Sequence, residues 1–116
     1  RRRNAQLYTQ ALEGLPVVTP YEAPHCGHVY HQYTILTPHR DELFEYLRAH
    51  EVGPMIYYPV SLHLQKTFAA SSQGEGSLPV CEEIQKKVLS LPMFPELTPE
   101  QIASIAHKIR EFFAQR

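Results

Sequence analysis

Apolar positions recur at helical spacing at both ends of the 116-residue chain and follow a strand-like pattern only in its middle. In "RRRNAQLYTQALEGL", Ala5, Tyr8, Ala11, Leu12 and Leu15 fall on one stripe, and Gly14 suits a C-terminal cap, so the spacing predicts a helix. "PVVTP" reads as a short edge strand bounded by Pro16 and Pro20, and "YEAPHCGH" as a loop. "HVYHQYTIL" is β-branched and aromatic, which makes it the strongest strand signal in the chain.

A second helix is predicted in "TPHRDELFEYLRAH", with Thr37 as N-cap, Pro38 at the first helical position and Leu43, Phe44 and Leu47 inward. Gly53 is its expected stop, and "PMIYYP" reads as the next strand. Lys66 to Ser77 is Gly/Ser-rich and predicts a loop. A short helix over Pro79 to Lys87, with Val80 and Ile84 inward, runs into an extended "VLSLP". The last segment opens with a capping box, Thr98 to Gln101, with Pro99 at the first helical position. It continues as an unbroken stripe of Ile102, Ile105, Ala106, Ile109, Phe112 and Phe113. The order of elements predicts one α+β domain over residues 1–116, a short sheet of three or four mostly antiparallel strands with helices on one face.

Composition narrows the function classes. Hydrophobic content of 43% and charged content of 20% are those of a folded domain rather than a disordered chain. With 11 basic and 12 acidic residues, no strong field favours nucleic acid or an acidic membrane. The one basic cluster, Arg1 to Arg3, is expected to be solvated surface. No apolar stretch approaches the roughly 18 residues that span a bilayer, and no apolar leader follows "RRRNAQLY". Two cysteines, Cys26 and Cys81, cannot build a disulfide framework, so a cytoplasmic setting is expected. The first residue is not methionine, which suggests a piece of something longer.

Seven histidines raise the possibility of a metal, particularly His25, Cys26, His28 and His31. Strand alternation argues against a shared ion, because it places Val29, His31, Tyr33 and Ile35 on one face and His28, Tyr30, Gln32 and Thr34 on the other. Ser61 and His63 lack a neighbouring acid for a hydrolase triad, and "GEG" lacks the context of a phosphate loop. Tyr57, Tyr58, His63 and Gln65 offer hydrogen bonds and stacking surface to a polar ligand.

The succession of motifs is more specific than any one of them. "RRRNAQLYTQAL", "HVYHQYTIL", "RDELFEYLRAHEVG" leading to "YYPVSLHLQ", and "GSLPVCEEIQKKVLSLPMFPELTPEQI" occur in that order. Together they resemble the C-terminal region of the DegT/DnrJ/EryC1/StrS family of pyridoxal-phosphate-dependent sugar aminotransferases. "YYPVSLHLQ" is similar to the family's HYP-x-x-LH-x-Q pattern, with Tyr57 standing where the family usually has histidine.

The resemblance implies the small C-terminal domain of a fold-type I enzyme. The Schiff-base lysine and the other cofactor-binding residues would lie in a preceding large domain, so no catalytic residue is expected here. Lys66, Lys86, Lys87 and Lys108 match no cofactor motif, and the chain alone is expected neither to bind pyridoxal phosphate nor to transaminate. The resemblance further implies a nucleotide-linked keto sugar, an amino-acid donor and a homodimer. It would put Tyr57, Tyr58, His28 and His31 near the sugar nucleotide, with His63 and Gln65 supporting the loop. Glu82, matching the acid of the family's P-x-x-E stretch in "LPVCEEIQKKVLSLP", is expected to support a helix end or pair with an arginine. The competing expectation is a stand-alone binding module without catalysis.

Overall fold

A computed structural model describes residues Arg1–Arg116. Its elements in order are α1 (Arg2–Ala11), β1 (Tyr33–Leu36), α2 (Arg40–Ala49), α3 (Pro79–Ile84), β2 (Val88–Leu91) and α4 (Pro99–Ala114), with single 3-10 turns at Leu62–Leu64 and Lys66–Phe68. β1 and β2 are antiparallel, with Tyr33 opposite Leu91 and Ile35 opposite Leu89. These four side chains point inward and are buried. Against them pack Tyr8 and Leu12 of the α1 region, Leu43 and Leu47 of α2, and Ile102, Ile105, Ile109 and Phe112 of α4. Each fully buried Leu or Ile adds about 1.5–3 kcal/mol of transfer free energy, so this single cluster holds the domain together.

The α+β architecture is as expected, but the ladder has two strands rather than three or four. Val18 extends it on one side through a lone bridge to Leu36, and Met55 on the other through a lone bridge to Ser90. The "PVVTP" and "PMIYYP" segments thus contribute one paired residue each, because prolines on both flanks limit further pairing. β1 is also shorter than "HVYHQYTIL" suggested. Tyr30 adopts a left-handed φ of 46°, so the alternating phase breaks there: Tyr30 is buried while Val29 is 76% exposed.

Local signals set most helix ends. Thr98 Oγ1 accepts from the Gln101 N–H and Gln101 Oε1 accepts from the Thr98 N–H, the reciprocal cap read from the sequence. Gly14, at φ 78°, follows α1 in the left-handed conformation that suits glycine. α2 begins two residues later than Thr37 implied. Thr37 Oγ1 instead accepts from the His39 N–H, and His39 is the N-cap. α2 also ends before Gly53: Glu51, at φ 61°, takes the left-handed position, with Glu51 N–H donating to Arg48 and Val52 N–H to Leu47.

Between Tyr57 and Lys86 the chain forms an arm that puts no residue into the core cluster and is held by polar side chains. The Ser61 N–H and Oγ–H both donate to Gln85 Oε1, at 2.5 and 2.6 Å. Glu82 accepts from the N–H groups of Gly76 and Leu78. Val80 and Ile84 were expected inward; they are 70% and 41% exposed because no element covers that side of α3.

Candidate functional site

Three helices cover one face of the sheet; the other carries Thr34 and Val88, half-buried, and Ser90, 5% exposed. Thr34 and Ser90, opposite one another in register, share a hydrogen bond of 2.7 Å there. Beside Thr34 lies a hollow of about 280 Å³ lined by Pro20, His28, Val29, His31, Gln32 and Thr34. A narrower one of about 100 Å³ continues past Gln32 and Thr34 to Tyr57, Tyr58, Val88 and Ser90. A third, of about 430 Å³ and nearly all apolar, runs from Tyr58 and Val88 to Leu62, Cys81 and Ile84. Shared residues join the three into one groove, polar at the histidine end and apolar at the α3 end. It is shallow throughout, so a ligand lying in it needs a second surface to enclose it.

The groove brings together four of the six residues singled out from sequence. His28 and His31 line its polar end on the same side, against the opposite-face assignment, because the left-handed turn at Tyr30 and the bends at His31 and Gln32 rotate the chain between them. Tyr57 and Tyr58 form its middle and are half or more exposed. His63 and Gln65 lie elsewhere. His63 turns into the arm, its side chain 11% exposed, with Nε2 2.9 Å from Glu82 Oε1. Gln65 Nε2 reaches only the Val60 carbonyl, at 3.5 Å.

The electrostatics of the arm centre on Glu82. Hydrogen bonds from His63 first, and then from the Gly76 backbone, hold its carboxyl below the usual range. Because that carboxylate can only accept, His63 Nε2 carries the proton in this bond. Glu82 thus supports the helix end, and its partner is a histidine rather than an arginine.

At the other end of the groove, Glu22 orders the histidine loop. Its Oε1 accepts from the His28 N–H and from Arg2, both at 2.9 Å, and its Oε2 from the Tyr30 hydroxyl at 3.0 Å. The His28 backbone bond, then the Tyr30 phenol, hold the Glu22 carboxyl low, while burial and then Glu22 push the Tyr30 phenol up. Arg1 donates to the His31 carbonyl at 2.9 Å. Two of the three opening arginines therefore fasten this loop instead of facing only water.

Sequence reasoning passed over Gln32, Thr34, Ser90, Glu22 and Gln85. Strand alternation puts Gln32 and Thr34 on the face opposite Tyr33 and Ile35, which is the signal that could have found them. Glu22 and Gln85 act through contacts 6 to 24 residues away, which no local pattern displays. No group of three or more His, Cys, Asp or Glu converges as a metal site would require. No helix is long and apolar enough to cross a membrane. The residues also do not fit a Schiff-base site. Lys66 and Lys86 are exposed, Lys87 is paired with Glu83, and Lys108 lines a separate hollow beside Gln101.

A family model described as the DegT/DnrJ/EryC1/StrS aminotransferase family matches residues 1–110. The chain is 49% identical, over 97% of its length, to a pleiotropic regulatory protein of Geobacillus stearothermophilus, of which it covers 31%. It is 46% identical, over 95% of its length, to the UDP-N-acetyl-3-dehydro-alpha-D-glucosamine 3-aminotransferase of Acidithiobacillus ferrooxidans, covering 29% of that protein. Among solved structures it superposes on DesV from S. venezuelae, in complex with a ketimine intermediate, with a TM-score of 0.93 and 37% identity. That superposition covers 99% of this chain and 31% of DesV. The chain thus spans about 30% of the length of the proteins it matches.

Proposed function

Because the chain belongs to the DegT/DnrJ/EryC1/StrS aminotransferase family, we propose that residues 1–116 act as the small domain of a nucleotide-sugar transaminase. The intact enzyme moves an amino group from glutamate to a keto sugar linked to a nucleoside diphosphate. The observation that carries this reading is the 0.93 superposition, over nearly the whole chain, on a protein whose structure holds a ketimine intermediate. The open groove supports it, since a one-walled site is what a domain completing a larger enzyme should present.

Pyridoxal phosphate, the cofactor that the family implies, supplies the electron sink for amino transfer. No lysine of this chain faces the groove, so the rest of the polypeptide holds the cofactor. The contribution of this chain is to binding. Tyr57, Tyr58, His28 and His31 offer donors and ring faces to the diphosphate and sugar, while His63 and Gln65 hold the arm that carries the tyrosines. Tyr57, a phenol where the family usually has imidazole, keeps a hydrogen bond and loses the option of a cation.

Nine of the thirteen large apolar side chains left exposed fall between Met55 and Ile84. This is the side we assign to the large domain and the second subunit of a homodimer. Two free thiols, Cys26 and Cys81, fit a cytoplasmic location.

The complete gene product, supplied with pyridoxal phosphate, is expected to convert glutamate and a UDP- or dTDP-linked keto sugar to 2-oxoglutarate and the amino sugar. The 116-residue chain alone is expected to do neither half-reaction. Failure of the complete product across such sugars would sink the reading. A second reading, a binding module without catalysis, is favoured by the regulatory name of the relative with 49% identity. A complete gene product with no borohydride-reducible lysine adduct would decide for it.

A further inference from the structure

The histidine loop turns on Tyr30, whose φ of 46° is rare for a residue with a side chain. That turn carries the Tyr30 N–H onto Nδ1 of His28, at 2.9 Å. A backbone amide can only donate, so Nδ1 must present its lone pair, and the ring proton of the neutral imidazole sits on Nε2. No protein group bonds Nε2, and His28 lies exposed on the wall of the groove beside His31, Gln32 and Thr34.

The surrounding contacts hold this arrangement in place. The Tyr30 ring packs on the His28 ring with centroids 4.2 Å apart. Glu22 takes the His28 N–H on one oxygen and the Tyr30 hydroxyl on the other. Arg2 neutralises that carboxylate at 2.9 Å. One acid therefore grips both the residue that offers the donor and the residue that fixes its tautomer.

We propose that His28 is a fixed, neutral hydrogen-bond donor of the groove, its Nε2–H offered to an oxygen of the nucleotide-sugar ligand, with Tyr30 and Glu22 as its positioning residues. The ligand named here rests on the transaminase reading; the tautomer does not. The arrangement sets His28 apart from a proton-transfer role, because a proton on Nδ1 would displace the Tyr30 amide. A donor that serves substrate and transition state alike changes KM and leaves kcat in place.

Two measurements separate the parts. In a long-range 1H–15N correlation spectrum of the complete gene product, 15N-labelled at histidine and assigned with His28→Phe, His28 should show one tautomer near neutral pH, protonated at Nε2 and bare at Nδ1. Tyr30→Phe, which keeps the amide, should retain that pattern, and Glu22→Ala should replace it with a mixture. Proton occupancy at Nδ1, or a mixture in the unaltered chain, overturns the proposal whether or not the enzyme transaminates. In the complete gene product, His28→Phe should raise the KM for a UDP- or dTDP-linked keto sugar about tenfold at constant kcat, and His28→Gln, which restores an N–H donor, should recover most of that loss. A fall in kcat at constant KM overturns the donor role. If the complete product shows no transamination while the tautomer stands, the functional reading has failed and the positioning geometry has not.

Discussion

Glu82 shows how one side chain can order a segment that lacks a core. Its carboxylate gathers the His63 imidazole and the N–H groups of Gly76 and Leu78, and those bonds hold its pKa down. A carboxyl whose folded pKa lies below its unfolded value of about 4.3 stabilises the fold above that pH. The contribution disappears as pH falls through the folded value. Amide protection at Gly76 and Leu78 is therefore expected to persist at neutral pH and to be lost as acid protonates the folded carboxyl. Glu82→Gln should remove the difference between the two conditions; equal protection in acid and at neutrality would contradict the anchoring role. Glu82 was legible as a helix-end support only through the resemblance, whose P-x-x-E acid it matches; its bond to the Leu78 N–H is in the structure. Its bond to His63, 19 residues away, was not legible. Tyr30 was illegible for another reason: its left-handed backbone is set by Glu22, His28 and Tyr33 around it, not by its own propensity.

At the scale of elements, what could be read was what local chemistry decides. α4 follows from a four-residue cap, Thr98 to Gln101, and a stripe of Ile and Phe, all local to the helix. Strand lengths depend on partners distant in sequence, so β1 came out shorter and the flanking segments shrank to single bridges. α3 misleads for a related reason: its apolar residues Val80 and Ile84 are exposed, because no element of this chain covers that side. The end of α2 offers a direct test. Glu51 holds the left-handed position that glycine adopts without penalty, and a side chain there costs about 1–2 kcal/mol. Glu51→Gly gives back part of that gain through the more flexible unfolded chain, by about 0.4–1 kcal/mol. The net expectation is a stabilisation of about 0.5–1 kcal/mol in a urea unfolding curve. An unchanged or lower midpoint would mean that the Glu51 side chain contributes something the contacts do not reveal.

The molecule as a whole is too open for its size. Its accessible surface is 7600 Å², whereas a self-contained protein of this mass exposes about 6,500 Å². Its radius of gyration is 15.6 Å, against about 13 Å for a compact domain of this length. The excess belongs to the arm, where most of the exposed large apolar residues lie. The isolated chain is accordingly expected to self-associate at micromolar concentrations and to bind a hydrophobic dye, as followed by sedimentation and fluorescence. A strictly monomeric, dye-silent chain would show that the arm folds back on itself in solution.

The division of labour within the arm also bears on how such a protein can diversify. Ser61, His63, Glu82 and Gln85 keep its shape through hydrogen bonds, while Tyr57, Tyr58, Leu62 and Ile84 line the groove and stay outside the core. Exchanges at surface positions like the latter usually shift stability by no more than about 0.5 kcal/mol. Within this chain, exchanges at these four positions therefore put little of its fold at risk, so the chemistry the groove presents can change while the hydrogen-bonded frame stays put.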